Sequence, residues 1–340
     1  MTQTVQQQQK LSATALPLLR RSLILSALVD RFTAAEFKGA QGDVLNIRRP
    51  AVLSARSEAI TRDKSRVIQS DDVVESTIQV KLTDHVYSAV DITDAEATLD
   101  VESFAAQILA PQVDSIASNL DLKVRDALET LPALTDVNGA AVAIARESEP
   151  EAQAKRIRFS IPQLRRRLND QHVPQAGRVL LVGSEVEALL LNDPNLSRLD
   201  ESGSADALRE ATIGRLHGFT IVTCDVIDPA EMIAFHPTAF KLSLIAPVAP
   251  EGAAYASSQS ANGVALRYIR DYNSTVAMDR SFLSVYSGIS PVLDPLVNAA
   301  GQYVDATGAV IASPTPSKIV MQQLRGVRVS LAPVDDGEGA

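Results

Sequence analysis

Between Leu99 and Leu131 the apolar residues Phe104, Ile108, Val113, Ile116, Leu120, Val124, Leu128 and Leu131 recur at steps of three, four and five. That spacing puts most of them on one stripe of an α-helix. Asp114, Asn119, Lys123, Arg125 and Glu129 occupy the opposite face. Asp100 or Ser103 suits the N-cap. Pro111 breaks or kinks the helix, or opens its longer second half, and Pro132 ends it. From Gln112 to Leu131 the helix spans about 30 Å at ~1.5 Å per residue, enough for a domain-long rod or an ordinary core helix.

Elsewhere the pattern is shorter in range. Met1 to Lys10 is Gln-rich and polar, and reads as a flexible lead. Leu11 to Phe37 reads as helix, with Leu16, Leu19, Leu23, Ala27 and Val29 apolar and Pro17 near its first turn. That stripe has no partner nearby in sequence, so it packs on another subunit or on the far side of its own domain. Val44 to Ile47 opens a strand, followed by Arg48, Arg49 and Pro50. Its match is Ser76 to Leu82, which alternates Ile78, Val80 and Leu82 with Thr77, Gln79 and Lys81. The stretch between them holds Arg56, Glu58, Arg62, Asp63, Lys64, Arg66, Asp71 and Asp72, with few apolar residues. It is either the charged tip of a long ribbon or a surface loop without fixed structure.

After the long helix, Ala140 to Ala145 is a strand or part of a helix. Ser160-Ile161-Pro162-Gln163 carries the N-cap serine, early proline and third-position glutamine of a helix start. The Arg165-Arg166-Arg167 run that follows is a solvated face, or a contact for nucleic acid or an acidic neighbour. Arg178 to Val182 is a strand feeding a helix over Glu185 to Leu191. Asp193 to Ala205 is a polar loop, and Ala207 to Ala211 a short helix. Phe219 to Val222 is a strand after a tight turn, and Met232 to Phe235 another, ended by His236-Pro237. Glu251 to Asn262 reads as a loop. Val264 to Tyr272 and Ser281 to Tyr286 form a hairpin. A small hairpin surrounds Asp305 to Gly308, Ile319 to Leu331 adds a strand, and Val334 to Ala340 is an acidic tail.

The 340 residues are enough for two or more compact units at ~150 residues each. Hydrophobic residues make up 46% and charged residues 21%, as in soluble globular proteins. Aromatics are only 4%, with no Trp, so the core is aliphatic. The net charge of −9 argues against tight nucleic-acid binding as the main task. One cysteine, Cys224, excludes an intrachain disulfide framework. No apolar run reaches the ~18 residues of a membrane span.

Chemistry is sparse. His85, His172, His217 and His236 lie far apart, none with a partner at metal-ligand spacing. Cys224 has no local nucleophile signature, and neither G-x-S-x-G nor a P-loop occurs. The glycine at 183 stands alone, short of a dinucleotide fingerprint. The residues point to neither an enzyme nor a cofactor.

Four stretches taken in series carry a resemblance: Gly42-Asp43-Val44-Leu45-Asn46-Ile47-Arg48-Arg49-Pro50; Ile108 to Asp114 with Pro111; Ile213-Gly214-Arg215-Leu216-His217-Gly218-Phe219; and Leu266-Arg267-Tyr268-Ile269-Arg270-Asp271-Tyr272. With the order of elements, they resemble the tailed-bacteriophage major capsid proteins of the Hong-Kong-97-type fold. The branch resembled is that of the coat protein of the Salmonella transducing phage. The resemblance covers roughly Leu11 to Val292 and leaves no room for that phage's large extra domain. It implies an α+β fold with an N-terminal arm (1–40), an extended β-hairpin loop (41–95) and a peripheral domain with the long spine helix (96–176). An axial domain (177–259), a return hairpin to the peripheral domain (260–293) and a C-terminal extension (294–340) complete it.

The implied function is structural. Hexamers and pentamers close an icosahedral shell around double-stranded DNA, held without sequence-specific binding. A scaffolding protein, a portal and a decoration protein are the implied partners, and no membrane is involved. The implied location is the virion capsid, assembled in the host cytoplasm. Leu19, Leu23, Arg48, Arg49, Arg62, Asp63, Lys64 and Arg66 are the candidates for inter-subunit contact. Some members cross-link a loop lysine to a neighbour's asparagine; Lys64 lies near the ribbon tip, and this branch is not known for that chemistry. An encapsulin-like cellular compartment shell and a nucleotide-binding α/β enzyme around Arg178 to Leu191 are the alternatives.

Overall fold

The computed structural model describes residues 23–32, 44–49, 76–93, 104–136, 139–193, 214–261, 263–275, 277–298, 300–311 and 317–333, with isolated positions at 15, 18, 19, 52, 53, 55, 57, 60 and 315. Met1 to Lys10, the ribbon tip, both candidate N-caps of the long helix, the short helix at 207–211 and the acidic tail lie outside them.

The long helix, α1, runs from Ala110 to Leu128 behind a π-helical turn at Ala105–Leu109. Pro111 follows closely on that turn and does not break the helix: Leu109 is itself helical, and the wider π turn accommodates the bond that the proline cannot donate. Val113, Ile116, Leu120, Val124 and Leu128 are buried, as the spacing predicts. The stripe lies on one face of a six-stranded sheet. That sheet comprises β1 (Asp30–Phe32), β4 (Asp84–Thr93), β9 (Phe240–Ile245), β10 (Tyr255–Ala261), β11 (Val264–Asn273) and β12 (Met278–Pro291). Its order is β1-β9-β12-β11-β10, with β4 also paired to β12. Two buried polar residues fix the helix in place. Gln112 accepts from Ser281 Oγ at 2.7 Å and donates to the carbonyls of Ser281 and Ser88. Asp121 accepts from the backbone N–H groups of Ile24 and Ser26, each at 2.9 Å, and from Ser26 Oγ at 2.7 Å.

A second, five-stranded sheet has the order β15-β8-β5-β7-β6. Its strands are β5 (Val179–Val182), β6 (Arg215–Leu216), β7 (Phe219–Thr223), β8 (Glu231–Phe235) and β15 (Gly326–Ser330). Val179, Leu181, Ile233 and Phe235 face the core shared with α1. Leu180, Val182, Met232 and Ala234 face α2 (Pro150–Asp170) and α3 (Ser184–Leu191) on the other side. Burial on both faces explains why β5 and β8 read as unbroken apolar runs. The β6–β7 turn places His217 and Gly218 at positive φ, the two-residue geometry that hairpins favour.

Three readings of the sequence are corrected, and one left open is settled. The helix expected over Leu11 to Phe37 does not extend through its described end: Leu25–Ala27 is a 3-10 turn, and β1 pairs in parallel with β9. The backbone of residues 30–32 finds its partners on β9 instead, and Lys241 adds a pairing with Asp30 and lies 5.2 Å from the centre of the Phe32 ring. Ser160 does not open a helix, because α2 starts ten residues earlier at Pro150. Ser160 is buried and donates to Ile157 O at 2.7 Å. The stripe of Ala154, Ile157, Ile161, Leu164 and Leu168 carries α2 through Pro162, which is exposed. The loop expected over Glu251 to Asn262 contains β10, an edge strand of small polar residues paired to β11. The short run from Ala140 to Ala145 is extended, with bridges at Ala141 and Ile144.

Candidate assembly surfaces

Among the described residues, ribbon strands β2 (Val44–Arg49) and β3 (Ser76–Lys81) pair only with each other, with Leu45 opposite Val80 and Ile47 opposite Ile78. The alternation of buried and exposed positions along β3 follows the sequence pattern. The base of the ribbon is held where it meets β12. Lys81 N–H donates to Ser290 Oγ at 3.2 Å, and Thr83 N–H to Ser287 O at 3.1 Å. Between these bonds the Lys81 carbonyl lies so close over Gly288 that a Cβ there would stand 1.8 Å from it.

Arg49 makes the third attachment. Its Nη1 donates to Asp294 Oδ1 at 3.0 Å, and Arg325 grips the same carboxylate with bonds of 2.6 and 2.8 Å. Asp294 and Pro295 form β13, paired to β14 (Met321–Gln322). The segment beyond the matched part of the sequence therefore clamps the ribbon's base. Burial lowers the Arg49 pKa from its ordinary value, and Asp294 opposes that effect. Arg48, its neighbour on the strand, is exposed. Leu19 and Leu23 are buried in the core around α1, so their apolar surface is spent within this chain. Arg62, Asp63, Lys64 and Arg66 lie outside the described residues.

Periodicity could not expose the second surface, an aromatic group on the large sheet. His85, Tyr87, Phe282 and Tyr286 cluster there, with Tyr87 stacked on Phe282 at 5.6 Å and His85 edge-on to Tyr286 at 5.0 Å. Arg267 lies 5.8 Å from the Phe282 ring centre. Cross-strand register unites them, since β4 runs antiparallel to β12 with Tyr286 opposite His85. Beside the patch, Asp84, His85, Tyr87, Ser115, Asn119 and Lys123 line an open cavity of about 450 Å³.

The nucleotide-site reading finds no cradle at Gly183. Glu185 and Glu187 stand in the first turn of α3, where a phosphate would meet like charge. The N–H groups of Glu185 and Val186 already donate to Pro229 O, and that of Gly183 to Glu231 O. Glycine serves packing there, because a Cβ would stand 2.2 Å from Asp228 O. Cys224 is buried, and burial raises its thiol pKa. Among the described residues no three His, Cys, Asp or Glu side chains gather to hold a metal ion, and no helix is long and apolar enough to cross a membrane.

His236 caps the turn after β8. Its Nε2 faces Ala176 O at 3.1 Å, while Nδ1 accepts from Thr238 N–H at 3.3 Å. Burial lowers its pKa; the Ala176 carbonyl and Asp30 oppose this, and Arg325 and Arg178 add to it. The unfolded chain therefore takes up this proton first as pH falls through ~6.5. We expect stability to be lower at a pH below ~6.5 than at one above it, and His236→Asn to flatten that slope. Thermal midpoints at the two pH values measure it; an unchanged slope refutes the assignment.

No protein-family model and no curated protein sequence matches the chain. Solved structures do. A structure from Mycobacterium phage Che8 is 17% identical, covers 90% of this chain and 90% of its own, and has a TM-score of 0.56. A subunit of the mature capsid of bacteriophage PhiM1 is 12% identical, with coverage of 92% and 88% and a TM-score of 0.60. A chain from the capsid of cyanophage P-SCSP1u gives 9%, 91% and 88%, and 0.57. The chain has the Hong-Kong-97-type phage capsid fold, as the sequence resemblance implies.

Proposed function

We propose that the protein is a major capsid protein whose copies close into an icosahedral shell around double-stranded DNA. The observation that carries this is the fold likeness to capsid subunits, which runs over most of both chains. The ribbon adds support: a two-stranded element paired with neither sheet and anchored at its base suits contact with a neighbouring subunit. The arm, extended loop, peripheral and axial domains and return hairpin take the boundaries given above. The chain groups with the Salmonella transducing-phage branch on its four sequence stretches. Scaffolding protein, portal and decoration protein are its partners during assembly in the host cytoplasm, and the acidic balance suits a container that must release its DNA.

Sedimentation of the protein, alone and with a co-expressed scaffolding partner, tests the reading. Closed multi-megadalton particles are expected, and a monomer under every condition overturns it. Nucleic acid rather than protein cargo inside particles from infected cells separates a virion from a cellular compartment.

Reversing Arg62, Lys64 and Arg66 to Glu is expected to leave the monomer's thermal midpoint nearly unchanged, since isolated exposed ion pairs are worth only ~0–1 kcal/mol. Particle yield, or survival at high salt, should fall sharply because the contact recurs at every subunit. Paired melting and particle counts decide this. A large loss of monomer stability would show that the tip packs on its own chain.

A further inference from the structure

Helix α2 is basic in a chain of net charge −9: it carries Lys155, Arg156, Arg158, Arg165, Arg166 and Arg167 against Glu151 and Asp170. Two of the cations work inside the chain. Arg158 pairs with the buried Asp193 at 3.0 Å, and Arg165 donates to His217 O at 3.1 Å. The other four are exposed. At ~100° per residue, Lys155, Arg156, Arg166 and Arg167 share an arc of about 120°, centred roughly opposite the stripe of Ile157, Ile161, Leu164 and Leu168. Phe159 sits within that arc and is 57% exposed, with the Arg158 guanidinium 5.5 Å from its ring centre. The local acids answer weakly. Arg166 and Asp170 stand 3.7 Å apart with side chains 82% and 59% exposed, a pairing water screens. Arg156 pairs with Glu147, and its side chain is 53% exposed.

Two cation pairs thus stand three turns apart with an aromatic ring between them. From Lys155 to Arg167 the row is about 18 Å long at ~1.5 Å per residue, enough for its two ends to reach separate phosphates of one duplex. We propose that this face of α2 binds the phosphate backbone of duplex DNA without reading its sequence. The proposal rests on the shell reading for its biological setting: it makes α2 the part of the wall that holds the enclosed genome. Phosphates on the duplex surface complement two separated pairs of long, exposed cations, and the surplus negative charge elsewhere keeps the contact weak and reversible.

The test is fluorescence anisotropy of a 20-base-pair duplex with the full chain, at ~50 mM salt and upward. Binding is expected, with log K falling against log salt at a slope of roughly −3 to −4, from ~0.9 per phosphate contact. A variant carrying Lys155→Gln, Arg156→Gln, Arg166→Gln and Arg167→Gln should bind at least ~10-fold more weakly and lose most of that slope. Its thermal midpoint should stay near that of the parent, while Arg125→Gln with Arg280→Gln should change nothing. No binding by the parent at the lowest salt, or equal binding by the quadruple variant, overturns the proposal. Loss of empty-particle assembly in the quadruple variant overturns it too, because α2 would then be a subunit contact. Particles that form normally from a parent that ignores DNA refute this inference and leave the shell reading standing.

Discussion

Gly288→Ala is expected to destabilise the protein by about 3 kcal/mol or more, at the upper end of what overpacking costs. The added Cβ would stand 1.8 Å from the Lys81 carbonyl oxygen, 2.8 Å from its carbon and 2.9 Å from Leu82 Cα. All three are backbone atoms at the β3–β4 corner, so no rotamer change relieves the clash. The corner must lift from β12, breaking the bonds from Lys81 N–H and Thr83 N–H to Ser290 and Ser287. Chemical denaturation measures the loss. Gly252→Ala is the control: a Cβ there meets nothing within 4 Å, so the change should stay within ~0.5 kcal/mol. Equal stability of the two variants would refute the close approach.

The second large effect is expected at Asp121→Ala. That carboxylate is buried and accepts three bonds from Ile24 and Ser26. Bonds to a charged acceptor contribute ~1.5–3 kcal/mol each, and they act here as one unit, so a total near 3 kcal/mol is expected rather than their sum. Residues 23–32 should lose hydrogen-exchange protection before α1 does. Asp121→Asn keeps one acceptor oxygen and should lose roughly half as much. Protection at Ser26 that survives the alanine would show that the turn is held by its apolar contacts instead.

Where burial imposes a period the sequence was readable. The α1 stripe, the alternation of β3 and the apolar runs of β5 and β8 all point to the elements that form. Locally ambiguous segments misled it. Asp30–Phe32 is too short to show a period, and its partner Lys241–Ser243 lies some two hundred residues on. Ser160 and Pro162 imitate a helix start, but packing of Ala154 and Ile157 upstream outweighs one lost hydrogen bond. Asn262-Gly263 was the readable sign of the β10–β11 hairpin, since that dipeptide favours two-residue turns.

The candidate surfaces were less legible. Arg49 stood out beside Arg48, but only the folded chain distinguishes them, by bringing Asp294 and Arg325 to one and leaving the other exposed. The aromatic patch needs the β4–β12 register, and the role of Gly288 needs the ribbon's entry angle. Leu19 and Leu23 were read correctly as apolar, yet periodicity cannot tell a neighbour's core from the chain's own.

The pairing of β15 with β8 has a consequence during synthesis. Strands β5, β7 and β8 are complete once residue 235 has left the ribosome, but the partner for the open side of β8 is residues 326–330. At ~5–20 residues per second the edge waits several seconds, with the backbone of Glu231–Phe235 unpaired on that side. An unpaired apolar edge is a template for a wrong strand. Nascent chains on one polysome present the same edge together, so slower translation between residues 236 and 325 should raise the yield of insoluble protein without altering the finished fold.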